Sequence, residues 1–310
     1  MIKSTTYATA EEGPHFLVLG AVHGNEKCGT VAIRRVIAEI DDGSVILVRG
    51  KVTFVPVTNP RAYLEDKRFI ERNLNRYLVP MVKPDTYEAR LGNALCPLLE
   101  SCDVLLDIHS YSVGGPAFVF VGKEDRRGHA FAANLGDVAL MTGWQEAYAA
   151  SGRKKAETSP DEATGTTEYS RRHGAISVTL ECGQHRDPNA PQIGYEAIRN
   201  ALRYLNLTDE PKAEARPISD ARVVTVKEVF YRDDAGEFCK DWKHMTPVSK
   251  DEAVALRADG SAIRAPADGC IVLPDAQSPI GAEWFYFATE NKAPESADVA
   301  LATGKSTVTG

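Results

Sequence analysis

Apolar residues in this chain never run on for the roughly 20 positions that a helix needs to cross a bilayer. The opening "MIKSTTYATAEEG" also lacks the apolar core of a secretory signal, so a cytoplasmic address and no membrane partner are expected. Positive charge is in deficit: 36 Lys and Arg stand against 43 Asp and Glu, a net charge of −7. No basic field therefore recommends nucleic acid as a partner, and any basic residue that matters must act locally. Cys-x-x-Cys pairs are absent too. The six cysteines (Cys28, Cys96, Cys102, Cys182, Cys239 and Cys270) are scattered, which removes zinc-finger and redox-motif readings and favours buried, reduced thiols. There is no internal repeat.

What is present is an ordinary globular composition, 43% hydrophobic and 25% charged, over 310 residues, long enough for a large domain and a smaller one. Up to about residue 208, strand-like runs alternate with helical patterns. "HFLVLGAV", "KVTFVPVTN", "DVLLDIHS", "PAFVFVG" and "AISVTLECG" read as strands, several apolar on both faces as central parallel strands are. Between them "NEKCGTVAIRRVIAEI", a segment from about Glu88 to Ser101, and "PQIGYEAIRNALRYLNL" read as helices. The expected fold class is α/β: a mostly parallel mixed sheet with helices on both faces. From Asp209 the polar "TDEPKAEARPISD" reads as a linker into a small β-rich domain, residues 209–310, with a frayed C-terminal tail.

Sites in open α/β sheets form at the carboxyl ends of strands, and polar residues gather at those ends here. "FLVLGAVHGNEKCG" carries His23 and Glu26 just past the first apolar strand; Asp107 and His109 close "DVLLDIH"; Glu181 closes "AISVTLE". Two histidines and a glutamate form a recurring catalytic zinc set, which leaves a position open for chemistry. His23, Glu26 and His109 supply it for one zinc ion per chain, and Asp107 is placed to orient that set. An isolated H-x-x-E is more often an ordinary turn; the second and third strand ends shift the balance toward metal. Glu181 reads either as a general base or as a strand-end partner for an arginine. Of the other histidines, only His185 follows a site strand closely.

The segment "NPRAYLEDKRFIERNLNRY" holds Arg61, Arg68, Arg72 and Arg76 without clean helical or strand period. It suits a loop over the site whose guanidinium forks receive a carboxylate, although charge runs are usually plain solvated surface. Taken in order, "HGNE", "NPRA", "RFIERNLNR", "DIHS" and "LECG" resemble the succinylglutamate desuccinylase and aspartoacylase family of carboxypeptidase-like zinc hydrolases. The resemblance spans roughly residues 16 to 208, and "RAPADGCIVLP" with "GAEWFYFA" is similar to the family's C-terminal domain.

That resemblance implies zinc on His23, Glu26 and His109, and Glu181 as general base. It implies substrate contacts from Arg68, Asn75, Arg76, an arginine matched by Arg171 or the adjacent Arg172, and Tyr286 of the β-rich segment. Arg61 or Arg68 would stabilise the oxyanion. Where the aspartoacylase branch has a tyrosine, this chain has Thr167, with Tyr169 nearby, which speaks against N-acetylaspartate as substrate. The expected activity is hydrolysis of the amide bond of an N-acyl amino acid or similar small carboxylate. A zinc carboxypeptidase acting on peptides and a non-catalytic binding module of the same fold are the alternatives. The acyl group, the amine product and whether the chain forms a homo-oligomer stay open.

Overall fold

The structure is a computed structural model, and it describes residues 1–76, 78–151, 164–211 and 214–291. The chain opens with β1 (Thr5–Ala8), β2 (His15–Gly20), α1 (Cys28–Asp41), β3 (Lys51–Val55), α2 (Pro60–Leu64) and α3 (Tyr87–Ser101). β4 (Val104–Tyr111), β5 (Phe118–Phe120), α4 (Arg126–Ala133), β6 (Ala139–Thr142), α5 (Trp144–Ala150), α6 (Thr166–Arg172), β7 (Ile176–Gln184) and α7 (Ala190–Tyr204) follow. The β-rich part holds β8 (Val223–Tyr231), β9 (Glu237–Phe238), β10 (Thr246–Val248), β11 (Ala253–Leu256), β12 (Ala262–Arg264), β13 (Gly269–Val272) and β14 (Glu283–Asn291). The tail read as frayed lies, from residue 292 on, outside the described residues.

Eleven strands make one mixed sheet in the order β1-β3-β2-β4-β7-β5-β6-β8-β14-β13-β10, and β12-β11-β9 make a second of three. β3, β2, β4 and β7 are parallel neighbours, while β5 runs antiparallel to β7. The fold is thus the expected α/β class, and the strands after residue 209 carry the same sheet onward through the β6–β8 pair. No described helix is long and apolar enough to cross a membrane.

Strand alternation decides what each face carries. Val104, Leu106 and Ile108 of β4, with Val178, Leu180 and Cys182 of β7, pack under α1 and α7 in the larger core. Leu105 joins Leu95 and Leu99 of α3 on the opposite face. By the same period Asp107 and His109 follow Leu105 onto the α3 face. Thr179 and Glu181 stand beside them, since Asp107 pairs with Thr179 and His109 with Glu181 in register. At the carboxyl end of β4, Asp107 and His109 are thus the polar groups placed on the α3 face.

The turn after β2 is clamped from below. Thr58 and Asn59 donate their backbone N–H groups to the carbonyls of Gly20 and Ala21 at 2.9 and 3.0 Å. Gly24 lies so close to α2 that an added Cβ would come within 2.0 Å of the Ala62 carbonyl carbon. Gly24→Ala must therefore push α2 away from the His23 turn, and a loss of roughly 1–3 kcal/mol or more is expected from such overpacking. Chemical denaturation measures it; an unchanged midpoint would show that the turn has slack that this packing denies.

Candidate active site

His23, Glu26 and His109 meet. Glu26 Oε1 lies 2.9 Å from His23 Nδ1, and Oε2 lies 2.8 Å from His109 Nδ1. All three are buried, and one ligand atom from each lies within 4.8 Å of the others. His23 Nε2 meets Asn73 Oδ1 at 3.0 Å, while His109 Nε2 is 2.9 Å from Asp107 Oδ2, at ion-pair distance without hydrogen-bond alignment. The Asn73 oxygen is assigned by a second contact, because it accepts the Asn75 backbone N–H at 2.9 Å.

The arrangement leaves His23 short of a proton. Burial lowers the His23 pKa to about 4 against the opposing pull of Glu26, so this ring is neutral near pH 7. A neutral imidazole has a single N–H, yet His23 has oxygen acceptors at both nitrogens. With that hydrogen directed to Asn73, the Nδ1 lone pair confronts the Glu26 carboxylate, and a cation between them removes the conflict. Burial works against charge on His109 and Glu26 also. For His109 the charges of Asp107 and Glu26 outweigh it and raise the pKa well above the usual value. For Glu26 the charge of His109 outweighs it and holds the carboxyl well below its usual range. Two imidazole nitrogens and a carboxylate, each ring backed by an oxygen, fit the donor set and outer partners that zinc takes.

Around the cluster runs a ring of polar contacts. Thr166 Oγ1 donates to Asp107 Oδ2, and the Thr166 N–H donates to Asn75 Oδ1 at 2.9 Å. The loop containing Asn73 and Asn75 thus holds the cluster at both ends, through His23 on one side and Thr166 on the other. Ser110 gives its N–H to Glu26 Oε2 at 3.2 Å, and its hydroxyl meets His185 Nδ1 at 2.8 Å. Glu181 stands next to His109 with Oε2 enclosed and without a hydrogen-bond partner among the described residues. Burial pushes its carboxyl up to about 8 although His109 pulls the other way. The strand bulges directly after it, where Gly183 takes a φ of +105°.

The arginines separate. Arg68 reaches Glu26 Oε1 at 2.8 Å and is half-exposed. Arg61 points elsewhere, 3.8 Å from Glu65 and over the Tyr87 ring. Arg171 pairs with Glu168 at 3.0 Å and reaches the Ser177 carbonyl, four residues before Glu181 on β7. Arg76 is exposed, donates to the Asn75 carbonyl at 2.7 Å, and its charge bears on the Tyr148 and Tyr286 phenols, whose hydroxyls are 2.7 Å apart. Asn75 spends its side-chain oxygen on the first turn of α6. Thr167 is buried, and Tyr169 is turned away toward Glu100.

Sequence reasoning passed over Asn73, Ser110 and Thr166. Asn73 had a visible signal, as the first asparagine of "NLN"; the other two had none. It also passed over Glu88, whose buried carboxylate accepts the backbone N–H groups of Ile70, Glu71 and Arg72.

Comparison with known proteins agrees with this architecture. The fold is similar to that of the succinylglutamate desuccinylase/aspartoacylase of Rhodobacter sphaeroides, with a TM-score of 0.72 at 19% identity, covering 94% of this chain and 90% of that one. A succinylglutamate desuccinylase from Silicibacter sp. TM1040 gives 0.70 at 20%, covering 94% and 89%. The product-bound ectoine utilization protein EutE (DoeB) of Ruegeria pomeroyi gives 0.70 at 19%, covering 93% and 89%. At such identities these likenesses speak for the fold. No curated protein matches. The family model of the succinylglutamate desuccinylase/aspartoacylase catalytic domain matches residues 12–205, and the chain belongs to that family of hydrolases.

Proposed function

We propose that this chain is a zinc-dependent amidohydrolase that removes the acyl group from an N-acyl amino acid or a similar small carboxylate in the cytoplasm. The observation that carries the reading is the buried His23–Glu26–His109 set, one proton short at His23, with Glu181 beside it in register. Zinc held by those three residues supplies a Lewis acid for the amide carbonyl and lowers the pKa of water.

Glu181 is the base. Its unpaired oxygen suits a group that takes a proton from the attacking water, and burial, which raises its pKa, favours the protonated form that then gives the proton to the departing nitrogen. Arg68, already beside Glu26, is the arginine closest to the developing oxyanion, whereas Arg61 is committed to Glu65 and Tyr87. Arg76 holds the substrate carboxylate, with Tyr286 and Tyr148 behind it. Asp107 and Asn73 keep the ring nitrogens in register. Arg171 stays a candidate contact for the remote end of the substrate.

An activity screen over N-acetyl and N-succinyl amino acids, with dipeptides as the contrast, tests this reading. The zinc-loaded protein should hydrolyse members of the first set and carry about one zinc per chain. Preference for dipeptides would make it a carboxypeptidase, and no turnover of either set would leave a binding module.

Glu181→Gln keeps the shape and removes the base, so kcat should fall by roughly 10²–10⁴-fold. Zinc content should hold, since Glu181 is no ligand; near-normal kcat would return Glu181 to an ordinary strand-end role. Arg76→Lys exchanges a fork for a point charge. It should cost about 2–3 kcal/mol in kcat/KM with the carboxylate substrate, and far less with the matching amide. Equal losses on acid and amide would mean that Arg76 does not read that carboxylate.

A further inference from the structure

Outside the cluster, Glu88 in the first turn of α3 is a buried carboxylate with four hydrogen-bond donors. Its side chain is almost wholly buried, at 1% exposure. Oε1 accepts the Ile70 N–H at 2.8 Å and the Asn59 side-chain N–H at 3.1 Å. Oε2 accepts the N–H groups of Glu71 and Arg72 at 3.1 and 3.2 Å. Four donors fill the acceptor sites of a carboxylate. Three of them are successive backbone amides turned toward one anion, the concave arrangement by which backbone binds negative charge.

Those amides belong to the loop that carries the arginines. Residues 65–76 form neither helix nor strand, so no ladder satisfies their backbone donors. Toward the cluster the loop is tethered by the Gly24 N–H on the Arg68 carbonyl at 3.2 Å, Asn73 on His23 and Asn75 on Thr166, while the Glu71 carboxylate accepts the Tyr87 N–H of α3. Glu88 takes three backbone amides from the middle of the loop, between Arg68 and Arg76. It is itself tied to the strand-end turn through Asn59, whose Oδ1 accepts the Ala62 N–H at the start of α2.

We propose that Glu88 is a positioning residue. A buried anion that touches no substrate sets the loop so that Arg68 and Arg76 stand where a substrate carboxylate and an oxyanion arrive. The inference rests on the proposed function for the role of the two arginines, and on the hydrogen bonds alone for the loop. Glu88→Gln is the informative change. It is nearly isosteric, but it replaces one oxygen with an N–H₂ group that faces backbone donors and leaves amides of the loop without acceptors.

The test uses the full, zinc-loaded chain and four readings: hydrogen exchange of residues 66–76, zinc content, succinate binding by calorimetry, and KM and kcat on an N-acyl amino acid. In Glu88→Gln the amides of residues 70–72 should exchange much faster. Succinate Kd and substrate KM should rise about tenfold or more, the scale of hydrogen bonds to a charged group. Zinc content should stay within about twofold of wild type, while kcat falls as well because Arg68 is no longer held at the oxyanion. Glu88→Asp keeps the charge one methylene short and should fall between; it also carries the test if the glutamine variant does not fold.

Unchanged protection of residues 70–72 overturns the proposal. So does faster exchange with unchanged succinate Kd and KM, which would make Glu88 a structural anchor only. Loss of zinc in step with loss of protection overturns it as well, by moving the effect to the metal cluster. A wild type that turns over no N-acyl amino acid would instead defeat the proposed function, and exchange with succinate binding would then decide for or against Glu88.

Discussion

A neutral imidazole with oxygen acceptors on both nitrogens is one proton short, and His23 is held in that condition by burial on one side and by Glu26 and Asn73 on the other. Taking a polar group out of water without satisfying it costs free energy. A cation between His23 Nδ1 and the Glu26 carboxylate would satisfy both groups. The strand-end turn clamped against α2, the β4–β7 register and the two asparagines of the loop all bear on that one requirement. In the proposed reading the requirement is met by zinc, and the same buried geometry places Glu181 next to it.

Much of this was legible because period and position carry it. Runs such as "DVLLDIHS" are apolar on both faces, which marks a central strand, and the odd residues of that run then fall on one face together. His23, Glu26, His109 and Glu181 stand at the ends of such strands, where a parallel sheet opens its crevice. The coarse architecture follows from the same alternation. Short strands were harder. β1 and β6 have four residues each, too few for a period to register, and the helices α4, α5 and α6, of eight, seven and seven residues, complete only about two turns.

The outer partners were the illegible part. Glu88 sits in the first turn of a helix, where an acidic residue is ordinarily read as a favourable charge against the helix dipole. Nothing in the local sequence says that three amides from a loop sixteen to eighteen residues upstream will close on it. Thr166 likewise reaches Asp107 across a gap of 59 residues. Asn75, expected to meet substrate, spends its oxygen on the start of α6, because an irregular loop must find partners for its neighbours' backbone before its side chains are free. The arginines divide on similar grounds: Arg61 lies on α2 beside Glu65, four residues on, while Arg68 lies in the loop and reaches Glu26.

The central claim is that His23, Glu26 and His109 together hold zinc. X-ray absorption at the zinc edge of the reconstituted protein tests it most directly. The account predicts a shell of nitrogen and oxygen at about 2.0–2.2 Å with the outer-ring scattering of two imidazoles and no sulfur. A sulfur shell near 2.3 Å, or one imidazole where two are required, would contradict it.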